Sequence, residues 1–77
     1  MDIKVIGSSC EKCTRLYDNT VAALKELNLD EQVEKVEELL DIVRLGVMTT
    51  PALMVDGKVH GLGRVLKTEE IIDILQK

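Results

Sequence analysis

Apolar and polar positions change period several times along the chain, and each change marks an element. Ile3, Val5 and Ile6 form a short run broken only by Lys4, the pattern of a strand covered on both faces. Gly7, Ser8 and Ser9 then read as a turn. From Cys13 to about Asn28, the positions Tyr17, Val21, Leu24 and Leu27 recur at helical spacing, and Leu16 and Ala23 widen the stripe. Asn28, Leu29 and Asp30 end this helix. Val33 and Val36 centre a weaker strand over 32–37. Leu39, Leu40, Ile42, Val43 and Leu45 suit a short helix, stopped by Gly46 at a C′ position. Ala52 to Val55 is a second apolar run. Asp56-Gly57 after it has the composition of a two-residue hairpin turn, with a strand returning over 58–62. The last element is predicted to take Thr68 as its N-cap, with Glu69 and Glu70 in the first turn and Ile71, Ile72 and Leu75 facing the core.

The order is β-α-β-α-β-β-α, an α/β pattern. Its first half can supply two parallel strands through a right-handed crossover. The hairpin adds an antiparallel pair, and helices cover both faces. No repeat, linker or low-complexity tract interrupts the pattern, so a single domain over 1–77 is expected. At 77 residues such a domain buries roughly 60–65% of its extended surface. With no Phe or Trp, the core has to be built from aliphatic side chains.

Composition narrows the partners. Fourteen acidic residues against ten basic ones leave a formal charge of -4, there is no basic run, and Tyr17 is the one aromatic side chain. Base stacking and phosphate attraction both have little to work with, so no nucleic acid is expected. No apolar stretch approaches the roughly 20 residues that span a bilayer. Residues 1–9 lack the features of a signal peptide, and a cytoplasmic protein is the expectation.

The chemistry centres on Cys10-Glu11-Lys12-Cys13, where the first strand gives way to the first helix. Redox exchange needs one exposed thiolate and a second thiol placed to resolve the mixed disulfide. Cys10 at the helix's leading edge meets backbone N–H groups that stabilise a thiolate; Cys13, one turn in, is more shielded. Lys12 adds positive charge nearby and Glu11 opposes it, while Tyr17 lies one turn beyond Cys13. Metal sites share this spacing. Zinc wants four ligands, and the chain offers two thiols and His60; a soft ion such as Cu(I) on two thiolates stays open.

A second stretch bears on the choice. Pro51 stands at the head of a strand, where proline is tolerated. A cis Thr50-Pro51 bond would set the Thr50 backbone at the rim of the cysteine site, ready to pair with an extended peptide, with Met48 as an apolar contact beside it. Outside this region the plainer readings hold. Met54 reads as core or loop filler, as does Met48 where it does not flank the site, and His60 reads as a solvent-facing strand residue. Arg64 and Lys67 read as surface charges, Gly61 and Gly63 as a bend, and 34–38 as a solvated edge.

The run 7–13, the run 46–53 and the segment 55–59 with Gly63-Arg64-Val65 after it together resemble the thioredoxin-like superfamily. In particular they resemble its small, glutaredoxin-sized archaeal and bacterial branch of redox-active disulfide proteins. The resemblance implies a three-layer α/β/α fold with a four-stranded mixed sheet. It also implies that Cys10 is the nucleophile, Cys13 the resolving thiol, Pro51 the cis-proline facing them, and Thr50 the residue lining substrate backbone. The implied activity is reduction of protein disulfides by a monomer without a cofactor, recharged by a thioredoxin-reductase-like protein or another dithiol donor. Thioredoxin proper differs in having Trp before its first cysteine, Gly-Pro between the two, and a buried Asp in the region where this chain has Lys4. The Pro-Tyr pair and glutathione-binding pattern of glutaredoxins are missing. Two alternatives stand beside this reading. One is a copper-handling module, whose family has βαββαβ order; the other is a binding protein that keeps the fold without turnover.

Overall fold

A computed structural model describes residues 2–7 and 11–76. The sheet is organised around β1 (Ile3–Ile6), which pairs in parallel with β2 (Val33–Val36) and antiparallel with β3 (Ala52–Val55). β4 (Lys58–His60) closes the far side against β3, giving the mixed order β2-β1-β3-β4. The two central strands are almost wholly apolar and buried, whereas both edge strands carry charges. That division follows from burial: only a strand with neighbours on both sides and layers on both faces loses all contact with water.

Three helices complete the βαβαββα order: α1 (Glu11–Glu26), α2 (Leu39–Arg44) and α3 (Thr68–Gln76). The strands' period of two separates the layers. Ile3, Val5, Leu53 and Val55 face α1 and α3, meeting Leu16, Ala23, Leu24, Ile71 and Leu75 in the main core. Ile6, Ala52 and Met54 face the other way and meet Ile42 of α2, with Val36 and Val47. Burying a side chain such as Leu16, which is fully enclosed, contributes about 1.5–3 kcal/mol.

The elements are the predicted ones, with four adjustments. Helix α1 begins at Glu11, so Cys13 lies inside its first turn. Its buried line runs through Cys13, Leu16, Thr20, Ala23 and Leu24, while Tyr17, Val21 and Leu27 flank it half-buried. Thr20 was invisible to a search for apolar residues; it is buried because its hydroxyl donates to the Leu16 carbonyl at 2.7 Å and so brings its own partner. In α2 only Ile42 is buried, and Leu39, Leu40 and Val43 face outward. The N-cap of α3 is Lys67 rather than Thr68: the Lys67 carbonyl accepts from the Ile71 N–H, and the Glu70 carboxylate returns to the Lys67 N–H at 3.2 Å. This is half of a capping box, with the acid three residues on. The returning strand stops at His60, because Gly61 and Gly63 both take positive φ and turn the chain away.

Candidate active site

The parallel strands β1 and β2 end side by side, the Gly7 N–H donating to the Val36 carbonyl at 2.9 Å. Carboxyl ends of parallel strands are where open α/β sheets place their sites, and the candidate residues gather here. Gly7 is the junction. Its missing side chain leaves the space that the Cys13 sulfur occupies, and the Thr50 Cβ lies 3.5 Å from the position a Gly7 Cβ would take. Only glycine permits this approach at Gly7, whose φ of 154° is itself one that other residues rarely adopt. Cys13 and the loop before β3 therefore converge on one backbone position. Cys10, Ser8 and Ser9 lie outside the described residues.

The loop is held through its backbone and its threonines. The Thr50-Pro51 peptide is cis. Pro51 is fully buried, while Thr49 and Thr50 are exposed. Gly63, after β4, donates its N–H to the Pro51 carbonyl at 2.9 Å. A Cβ on Gly63 would stand 2.7 Å from the Thr49 methyl, so the Gly61-Leu62-Gly63 bend packs directly on this loop. Met48, placed by sequence reading either in the core or beside the site, is exposed at 92% and belongs to no core cluster. Leu62 is exposed as well. Met54, by contrast, is buried as expected.

The charges flanking the cysteines divide. Glu11 is exposed and its carboxylate accepts from Arg15 at 3.0 Å, a pairing one helical turn apart that partly offsets its charge. Lys12 points to solvent from the same turn. Lys4, at the region where thioredoxin proper has its buried acid, faces the α2 side of the sheet in register with Met54. Its amine pairs with Asp2 at 2.6 Å, and that hydrogen bond, first among the causes, holds its pKa above the ordinary lysine value. It takes no part in the surroundings of Cys13.

Beside Cys13 lies a pocket of about 230 Å³, open to solvent on one side and lined by Cys13, Thr14, Tyr17, Val5, Lys35 and Glu37 together with Gly7. The Lys35 amine sits 4.3 Å from the centre of the Tyr17 ring, a cation–π contact. Tyr17 thus stands where sequence reading put it, one turn from Cys13. Lys35 and Glu37 were read there only as part of a solvated edge. Both are exposed, yet both line this cavity. The available signal was alternation: once β2 lies parallel to β1 with Val33 facing the core, Lys35 and Glu37 fall on that same face. His60 lines a separate depression with Val55, Asp56, Lys58 and Ile74. Among the described residues no three His, Cys, Asp or Glu side chains gather as a metal site, and no helix is long and apolar enough to cross a membrane.

Comparison with known proteins agrees with this geometry. A family model described as a thioredoxin domain matches residues 1–76. A thioredoxin from Methanothermobacter thermautotrophicus is 40% identical over 75 residues, covering 97% of each chain. A thioredoxin from Methanocaldococcus jannaschii is 31% identical over 74 residues, covering 96% of this chain and 85% of its own.

Proposed function

The chain belongs to the thioredoxin family, and from that membership, which supports an oxidoreductase role, we infer that it reduces protein disulfides through Cys10 and Cys13. The Cys10 thiolate attacks one sulfur of a substrate disulfide, forming a mixed disulfide and releasing the first substrate thiolate. Cys13, once deprotonated, attacks the Cys10 sulfur. A Cys10–Cys13 disulfide forms, the bond between Cys10 and substrate breaks, and the second substrate thiolate leaves. Two electrons pass from the dithiol to the substrate. A separate dithiol donor, of the thioredoxin-reductase kind, returns them.

One observation carries this reading beyond family membership: the Cys13 sulfur and Thr50 converge on Gly7, next to a cis Thr50-Pro51 peptide. A substrate chain lying along Thr50 could pair with its backbone while its disulfide reaches the cysteine pair. Thr50 and Pro51 are then the substrate-binding positions, with exposed Met48 offering apolar contact. The test is equilibration of the protein in thiol buffers of defined potential, paired with a Cys13→Ser variant. A reversible two-electron couple near the thioredoxin value of about -270 mV, with Cys13→Ser accumulating as a mixed disulfide with substrate, is the expected result. Absence of any reversible couple would overturn the proposal.

A further inference from the structure

A substrate chain that pairs along Thr50 needs the loop carrying Thr50 at a fixed place relative to the cysteines. A misplacement of about 1 Å can cost on the order of 100-fold in rate. The loop's own hold is slight. Val47 and Pro51 are buried at its ends, but Met48, Thr49 and Thr50 between them are exposed, and helix α2 before it buries only Ile42. Proline has no N–H, so Pro51 offers the backbone only its carbonyl, and the Gly63 N–H takes that carbonyl at 2.9 Å. The Thr49 methyl rests where a Gly63 side chain would begin. Whatever fixes Gly63 therefore fixes the loop. The Arg64 guanidinium, on the next residue, meets both carboxylate oxygens of Glu70 in α3, at 3.0 and 3.3 Å. The Arg64 N–H closes the bend on the Gly61 carbonyl at 3.3 Å. The Leu66 side chain fills the space beside Gly61, and the Leu66 carbonyl accepts from the Asn19 side-chain amide at 2.9 Å in a part-buried bond. Asn19 lies on α1, the helix that carries Cys13.

We propose that residues 61–67 brace the substrate loop against the cysteine helix, with Arg64 and Asn19 as positioning residues that set where Thr50 presents its backbone; this rests on the reading of Thr50 given above. Both act through Gly63 and Pro51. Sequence reading placed Arg64 among the surface charges, and it is 58% exposed. An exposed ion pair contributes little to stability by itself. A guanidinium on two carboxylate oxygens nevertheless fixes direction as well as distance, which a lysine amine does not. The loss on removing Arg64 is therefore expected in substrate binding rather than in unfolding. It is also selective: a small disulfide without a peptide backbone has nothing to pair with Thr50 and does not need the brace.

The test compares a peptide disulfide with hydroxyethyl disulfide, with dithiothreitol as the electron donor and its direct reaction subtracted. Arg64→Met and Asn19→Ala should each raise KM for the peptide disulfide about tenfold, inside the roughly 100-fold that misplacement can cost, with kcat little changed. Turnover of hydroxyethyl disulfide and the Cys10–Cys13 potential should match the parent protein. Arg64→Lys, which keeps the charge without the two-oxygen grip, should recover part of the KM. Arg44→Met, which removes the exposed pair with Asp41 on α2, should match the parent on both substrates. Amide exchange gives a readout apart from activity: the Gly63 N–H should lose protection in both brace variants while β1 keeps its own. A parent KM for the peptide disulfide in Arg64→Met overturns the proposal. So does an equal loss on both substrates, which is a disturbance of the cysteines themselves. If Asn19→Ala unfolds, Arg64→Met and Arg64→Lys decide the matter alone. A parent protein that reduces neither disulfide overturns the dithiol reading instead, so the two failures are distinguishable.

Discussion

At the scale of single residues, the most constrained position in the described site is a residue with no side chain. Gly7 leaves room for the Cys13 sulfur, and neither partner can retreat easily because Cys13 is buried within helix α1. Gly7→Ala should therefore cost about 1–3 kcal/mol from overpacking, in addition to the backbone penalty at its φ. Gly57 is the control. It also has positive φ, in the Asp56-Gly57 turn, but an added Cβ there meets nothing within 4 Å. Gly57→Ala should carry only the left-handed backbone penalty, about 1–2 kcal/mol. Urea unfolding of both variants checks this, and equal losses would mean that the contact with Cys13 is not the reason for glycine at position 7. Thiol reactivity adds a second readout, since only Gly7→Ala should disturb the cysteine.

At the scale of elements, the helix ends show how local chemistry holds the site's supports. Helix α1 closes with Asn28 at φ 54°, its N–H on the Lys25 carbonyl and the Leu29 N–H on the Leu24 carbonyl. Helix α2 closes the same way through Gly46 and Val47. Both are Schellman ends, and in each the apolar residue after the turn packs back towards the core. Helix α3 is held at its start by charge. The Arg64 guanidinium grips Glu70 at 3.0 and 3.3 Å, and this pair, with the Lys67 N–H second, holds the Glu70 carboxyl below its ordinary value of 4.5. A carboxyl lowered in the folded state binds fewer protons there than when unfolded. Its stabilisation is thus complete above about 4.5 and lost as pH falls through the lowered value. Thermal melts from pH 7 to pH 3 should show Glu70→Gln losing less stability on the acid side than the parent protein. The effect is small, because the pair is exposed and screened by salt.

At the scale of the whole molecule, stability is uneven in a way that suits a redox protein. β1 and β3 lie at the centre of the sheet with helices on both sides, and their amides should exchange at the rate of global unfolding. Helix α2 is anchored through Ile42 alone among its residues, with Leu39 and Leu40 more than 70% exposed. Its amides should exchange by local opening, well before those of α1. Native-state hydrogen exchange distinguishes the two regimes, and equal protection in α1 and α2 would contradict this account. The site lies between them, with Cys13 on the firmly packed helix and Met48-Thr49-Thr50 on the exposed loop that follows α2.

The sequence by itself determined the element order, the two-sided burial of the first strand, the Asp56-Gly57 turn at φ 49° and 83°, and Gly46 as a helix stop. These are local matters, decided by periodicity and by which residues tolerate positive φ. It also singled out Cys13, Thr50 and Pro51, because cysteine spacing and a proline at a strand's head carry meaning without any fold. What only the tertiary structure decided was which parts of the chain meet. Gly7 read as a turn residue until Cys13 filled its side-chain space. Gly63 read as a bend until its N–H reached Pro51. Lys35 and Glu37 read as a solvated edge until the pairing of β2 with β1 set them around the pocket beside Cys13. Each of these roles depends on contacts between residues distant in sequence, and no local pattern encodes a distance of that kind.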